Sequence, residues 1–264
     1  MYKRQILHAI EHGYREFIIG IGGSATNDAG LGMLQALGFR FYDQNGEILG
    51  KGGQILDQIV AIDFSSVHPA LKDARFTIAC DVRNPFSGPE GAAYVFARQK
   101  GADGAMIEKL DAGMKRFSRL IHSTTGREIT EVAGAGAAGG LGGAFLAFLN
   151  AELKPGIELL LRTLKFDEKI KDADLIITGE GRVDRQSVMG KVPFGILEEA
   201  NKQGIPVIVV AGSIADTEVL NKAGFRGIFS IVPSPMSLEV AMKPEAAKNN
   251  ISRTVAQIIS LATL

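Results

Sequence analysis

Beyond residue 157 the chain alternates short apolar runs with amphipathic stretches, and that alternation admits few folds. The pattern predicts helix over 159–164, strand over 175–178, helix over 194–203 and strand over 206–211. Helix over 217–223, strand over 227–232 and one long helix over 238–261 follow. Strands and helices taking turns in this way form βαβ units around a parallel sheet. Parallel sheets are normally buried on both faces and contain more than three strands. This half therefore reads as incomplete, so that either the preceding segment lends it strands or an N-terminal piece is missing. The uncovered sheet edge also offers a surface for a homodimer or for aggregation.

The earlier part is built around glycine-rich turns. A helix ending at Gly13, a buried strand over 16–21 and a turn at Gly22-Gly-Ser-Ala-Thr-Asn-Asp-Ala-Gly30 lead into a helix over 31–37. Thr26, Asn27 and Asp28 can each cap that helix. A strand over 39–42 meets a hairpin signal at Asn45-Gly46, and 55–62 reads as strand and turn. A strand over 76–80 breaks at Asp81-Val-Arg-Asn-Pro85. Apolar residues at helical spacing, Met106, Leu110, Met114, Phe117, Leu120 and Ile121, predict a helix over 105–123. A glycine-rich run over 132–143 then enters a helix reaching residue 153. The expected architecture is α/β with two α/β domains. The first, 1–167, has a mixed sheet and glycine-rich loops. The second, 168–264, is a partial Rossmann-like parallel sheet missing its N-terminal strands.

Charge excludes some partners. Lys plus Arg equals Asp plus Glu, 29 against 29, so no global field favours nucleic acid or an anionic membrane surface. Any anion site must be built locally. Glycine, 32 of 264 residues against a usual level of about 7%, supplies the backbone freedom for such sites. The single cysteine, Cys80, excludes an intrachain disulfide and suits the reducing cytoplasm. Residues 132–149 carry no charge, but twelve of them are Gly or Ala, a poor composition for a membrane span.

Four stretches could carry chemistry. In 175–193 an apolar run breaks at Gly179 into an expected loop bearing Glu180, Gly181, Asp184 and Lys191, before Pro193 opens a helix. Loops at the carboxyl ends of parallel strands are where open α/β sheets bind ligands. Glu180 and Asp184 could hold Mg²⁺ or serve as a general base. Lys191 at a helix start is unfavourable unless an anion sits beside it, which suits neutralising a transferring phosphoryl group. The alternative is a solvated turn. Gly20-Ile-Gly-Gly-Ser-Ala-Thr-Asn-Asp28 could cradle an anion on Gly22, Gly23 and Ser24 or could be a plain βα turn; it lacks Walker A spacing. Gly134-Ala-Gly-Ala-Ala-Gly139 matches a dinucleotide fingerprint, with Glu158 as its acid, but 127–132 is too polar for the strand that should precede it. Close helix packing explains those glycines more simply. Asp81 could bind metal or a hydroxyl, or form a turn before Pro85. The four histidines show no zinc or triad spacing.

These motifs together resemble bacterial glycerate kinase of the type that acts in glyoxylate and sugar-acid breakdown. The match is carried by Ile19-Gly-Ile-Gly-Gly-Ser-Ala-Thr-Asn-Asp28 with Gly30, Cys80-Asp-Val with Asn84-Pro85 and Gly88, and Gly134-Ala-Gly-Ala-Ala-Gly-Gly140. Leu153 with Pro155-Gly156, and Thr178-Gly-Glu-Gly with Asp184, Gln186, Gly190, Lys191 and Pro193, extend it over essentially the whole chain. The resemblance implies an ATP-dependent, Mg²⁺-requiring cytoplasmic kinase that phosphorylates D-glycerate to 2-phosphoglycerate. It implies catalytic or Mg²⁺-binding roles for Glu180 and Asp184 and a phosphate-facing Lys191. Substrate or phosphate contacts would come from Gly22, Gly23, Ser24, Asn27, Asp28, Asp81, Gly136, Gly139, Gly140, Gly179 and Gly181. The family's N-terminal segment, with its Asp-Ser-Phe-Lys-like and Asp-Gly-Gly-Glu-Gly-Thr motifs, has no counterpart here. The competing expectation is accordingly a truncated, non-catalytic fragment that at most binds ligand.

Overall fold

The computed structural model describes residues 2–188 and 190–262, which divide into two units, 1–156 and 157–264. The division falls before residue 167 because the helix at Gly156–Thr163 turns Ile157 toward Gly195, where an added Cβ would lie 2.5 Å from Ile157.

In the first unit, β1 (Glu16–Gly20), β4 (Arg75–Ala79) and β5 (Glu152–Lys154) form a parallel sheet in the order β1-β4-β5. A separate antiparallel pair joins β2 (Arg40–Tyr42) to β3 (Ala61–Asp63). The strands thus form two sheets. The Asn45-Gly46 signal lies in a tight turn, in which Asp43 Oδ1 accepts from the Asn45 and Glu47 amides at 2.8 and 2.9 Å. Within 55–62, Ile55 closes a short 3₁₀ helix (Gly53–Ile55), a turn follows, and strand begins only at Ala61. Residues 152–154 are strand rather than the end of a helix, because Leu153 pairs with Ile78 on the open edge of β4.

Around the sheet lie α1 (Tyr2–Glu11), α2 (Leu31–Ala36), α3 (Ala92–Phe96), α4 (Gly104–Thr125) and α5 (Ala137–Phe148). Asp103 caps α4, its Oδ1 accepting from the Met106 amide at 2.8 Å, and Gly126 ends it at φ +72°. Ile107, Met114, Phe117 and Ile121 recur at helical spacing and are buried, whereas Met106 is exposed. They join Phe41, Phe76, Phe86 and Phe145 in one core. Burying each such side chain contributes roughly 1.5–3 kcal/mol.

In the second unit, β6 (Ile176–Val183), β7 (Val207–Ile214) and β8 (Gly227–Ser230) form the expected parallel sheet, ordered β6-β7-β8. Helices α6 (Gly156–Thr163), α7 (Phe166–Lys169), α8 (Val192–Asn201) and α9 (Thr217–Ala223) accompany it. The long C-terminal helix is broken into α10 (Leu238–Ala241) and α11 (Pro244–Ala262). Pro244 is placed in the first turn of α11, where the missing N–H costs nothing. Val183, Val207, Val209, Leu197, Leu220 and Phe225 share one buried cluster, while Ile208, Val210 and Ile258 form another. No helix among the described residues is long and apolar enough to cross a membrane.

Candidate active site

At the carboxyl ends of β1 and β4 the first unit contains a cavity of about 230 Å³, which Gly22, Gly23, Ser24, Cys80, Asp81 and Lys100 help to line. Parallel strands leave ligand crevices at this end. A Cβ added at Gly22 or Gly23 would meet nothing within 4 Å, and Gly23 has φ +68°. These two glycines therefore leave backbone open toward the cavity instead of serving close packing. Ser24 accepts at Oγ from Lys100 Nζ at 3.1 Å, and the Thr26 carbonyl accepts from the same ammonium. Burial pushes the Lys100 pKa below its ordinary value, with Asp28 pulling the other way.

Lys100 is the residue that the sequence reading missed. It ends the 3₁₀ turn Arg98–Lys100, and 76 residues separate it from Ser24. No local spacing connects the two. Asp81 lines the cavity and its Oδ1 accepts from the Gly156 amide at 2.8 Å, tying β4 to the end of this unit. Asp28 is engaged by the fold: Oδ1 and Oδ2 accept from the Gly30 and Gly32 amides, each at 3.1 Å, at the start of α2. Asn27 faces a neighbouring cavity of about 350 Å³ that also shares Lys100, and its buried Oδ1 has no hydrogen-bond partner.

The glycines at the start of α5 serve packing. A Cβ at Gly136 would lie 2.1 Å from the Pro85 carbonyl oxygen, at Gly139 2.2 Å from that of Thr26, and at Gly140 2.7 Å from Met114 Cε. Gly136 donates its amide to Asn84 O and Gly140 donates to Gly136 O, so neither amide faces the cavity. Ala137 and Ala138 line it instead. The dinucleotide fingerprint lacks its context, because residues 127–133, which lead into Gly134, are turn and coil and not strand.

In the second unit the expected loop is strand. Gly179 pairs with Val210, Glu180 with Ala211 and Arg182 with Ser213, so β6 runs on to Val183. At Gly179 a Cβ would lie 3.2 Å from the Val210 carbonyl, while at Gly181 it would meet nothing within 4 Å. The turn that follows is fixed by Ser187, whose Oγ accepts from the Asp184 amide at 3.1 Å. Lys191 occupies the cap position of α8 with Pro193 in the first turn. Its Nζ lies 3.8 Å from Glu180 Oε1, so the anion beside this helix start is Glu180. Asp184 Oδ2 lies 3.2 Å from Arg182 Nε. Glu180 Oε2 is buried without a hydrogen-bond partner. The structure thus brings Glu180 and Lys191 together, while Asp184 pairs with Arg182 at the end of the same strand.

Among the described residues no cluster of three or more His, Cys, Asp or Glu side chains could hold a metal ion. Mg²⁺ commonly takes one or two carboxylates and completes its shell with water and substrate phosphate. The unpartnered Glu180 Oε2 with Asp184 nearby in sequence suits that mode.

A model of the glycerate kinase family matches residues 4–263. A glycerate kinase of Halalkalibacterium halodurans is 46% identical over 253 residues, covering 94% of this chain and 67% of the relative. The glycerate 2-kinase of Escherichia coli is 47% identical over 249 residues, covering 94% and 65%. A crystal structure described as a glycerate kinase 2 from Salmonella typhimurium LT2 superposes with a TM-score of 0.81 at 41% identity, covering 99% of this chain and 69% of that one. The chain thus spans about two thirds of the length of the relatives it matches.

Proposed function

This chain belongs to the glycerate kinase family, and from that premise we propose that it carries out ATP-dependent phosphorylation of D-glycerate, giving 2-phosphoglycerate, in the cytoplasm. The observation that carries the reading is the family match over nearly the whole chain. The two groups of residues above support it, each in its own unit. The first unit presents open backbone at Gly22 and Gly23 with the Lys100 ammonium, in a small pocket suited to an acid of few atoms. The second presents two carboxylates and a lysine.

In the reaction the hydroxyl oxygen of glycerate attacks the γ-phosphorus in line, and the bond to the bridging oxygen breaks with its electron pair leaving on ADP. Catalysis is mostly positioning and charge neutralisation. Glu180 and Asp184 would hold Mg²⁺, which when bound offsets the negative charge of the phosphates. Asp184 or Glu180 would accept the hydroxyl proton. Lys191 exchanges part of its pairing with Glu180 for the transferring phosphoryl group. The glycerate carboxylate rests on the open backbone of Gly22 to Ser24. Unit 2 is read as the C-terminal half of a Rossmann-like domain and unit 1 as a domain inserted into it.

A second reading is that this chain, which spans about two thirds of the length of its relatives, binds ligand without turnover. One assay decides between them: ADP release measured with D-glycerate, Mg²⁺ and ATP, on this chain and on a version extended at the N-terminus. Release by both supports the kinase reading for this chain. Release by the extended version alone supports the second reading, and release by neither refutes the activity.

A further inference from the structure

We propose that Lys100 is the cation that recognises the carboxylate of the hydroxy-acid substrate, held ready in the cavity of Gly22, Gly23, Ser24 and Asp81 by Ser24 Oγ and the Thr26 carbonyl. The inference deepens the function proposed above and rests on it for the identity of the acid.

An ammonium taken partly out of water is stable only when its charge or its donors are compensated. Lys191 meets this demand with Glu180 at 3.8 Å. Lys100 is held by two neutral oxygens, at Ser24 and Thr26, and these account for two of its three N–H donors. Asp28, the carboxylate whose field reaches it, has its own two oxygens committed to the Gly30 and Gly32 amides. Burial has already lowered the Lys100 pKa, as expected of a cation lacking a full counter-charge. An anion entering the cavity would supply that charge.

The surroundings fit a small carboxylate. The cavity, about 230 Å³, is below the ~300–1,000 Å³ usual for drug-sized ligands. Its floor is the backbone of Gly22 and Gly23, where no side chain intrudes. Two turns far apart in the chain, the one after β1 and the 3₁₀ turn ending at Lys100, thus converge on one small space. Lys100 is accordingly a better receptor for a substrate anion than Lys191, which acts as one partner of a pair.

The test is calorimetric titration of the whole chain with D-glycerate, with glycerol, which lacks the carboxylate, and with inorganic phosphate. The wild-type chain should bind D-glycerate about tenfold or more tightly than glycerol, and more tightly than phosphate. Lys100→Met should lose that preference and bind D-glycerate about tenfold or more weakly, with an unchanged circular dichroism spectrum. Should Lys100→Met fail to fold, Lys100→Gln, which keeps a donor without the charge, is read the same way. Lys100→Arg should retain a preference for glycerate over glycerol. An unaltered preference in the uncharged variants, equal binding of glycerol and glycerate by the wild type, tighter binding of phosphate, or no binding at all would each overturn the assignment. Glycerate binding that depends on Lys100, without ADP release from the extended chain, would uphold the anion site while the kinase reading fails.

Discussion

The Gly139 carbonyl accepts a hydrogen bond from the Ala29 amide at 2.9 Å, which draws the start of α5 against the turn that precedes α2. Gly139 has φ +71°, and a Cβ there would lie 2.2 Å from the Thr26 carbonyl oxygen. Gly139→Ala combines a left-handed conformation with overpacking against backbone, and is expected to cost about 2–4 kcal/mol. Gly22→Ala has neither problem, since nothing lies within 4 Å of the new Cβ. It should leave stability within about 0.5 kcal/mol and weaken glycerate binding. Urea unfolding of both variants checks the contrast; equal stability losses would show that the two glycine turns have been assigned the wrong roles.

Asp111 is buried on α4 yet charged, so its partners must compensate it. Oδ1 accepts from the Gly88 amide at 2.6 Å and Oδ2 pairs with Lys115 Nζ at 2.8 Å. Asp111→Ala leaves the Gly88 amide without its acceptor and should destabilise the protein by about 1–3 kcal/mol. Lys115→Ala removes a partner whose side chain is half exposed, and water can replace it, so its cost should be under about 1 kcal/mol. Chemical denaturation of the two variants separates them. A larger loss for Lys115→Ala would contradict this division.

Local chemistry made much of the fold legible. Asp103 and Gly126 bracket α4, the Asn45-Gly46 pair sits in its tight turn, and the second half alternates as its apolar runs require. The misreadings are long-range. The helix expected to reach residue 153 stops at Phe148, and residues 152–154 become strand because β4 has an open edge beside them. Gly179 to Val183 reads as a loop because two glycines interrupt the apolar pattern, yet pairing with β7 carries the strand through them. In the candidate site, Glu180, Asp184 and Lys191 stand close in sequence and were visible as a group. Lys100 reaches Ser24 across 76 residues, and only the packed turns bring them together.

The Glu180 and Lys191 side chains are expected to act as a unit. Lys191→Ala, measured in an N-terminally extended version, should lower kcat about a hundredfold or more without loss of structure. Glu180→Gln should lower it comparably, and the double variant should lose less than the product of the two single losses, because the ion pair at 3.8 Å couples them. Near-normal turnover by Lys191→Ala would remove it from the mechanism. Strict multiplicativity would remove the coupling.

Proton affinity offers a separate check on the cavity of the first unit. Burial lowers the Lys100 pKa below its ordinary 10.5. The unfolded chain then holds that proton more tightly, so this group adds stability as pH climbs from the folded value toward 10.5, while anion binding weakens over the same rise. Cys80, on the same cavity, has its thiol pushed above its ordinary 9.0, chiefly by burial. The folded chain holds this proton more tightly, so the Cys80 contribution is full below 9.0 and is lost as pH rises through the folded value. Because the thiolate is the nucleophile, iodoacetamide at pH 8 should modify Cys80 several-fold more slowly in the folded chain than in urea. D-Glycerate should slow it further in the wild type and leave it unchanged in Lys100→Met. Mass spectrometry of the alkylated chain follows both effects, and equal rates with and without D-glycerate in the wild type would place the acid elsewhere.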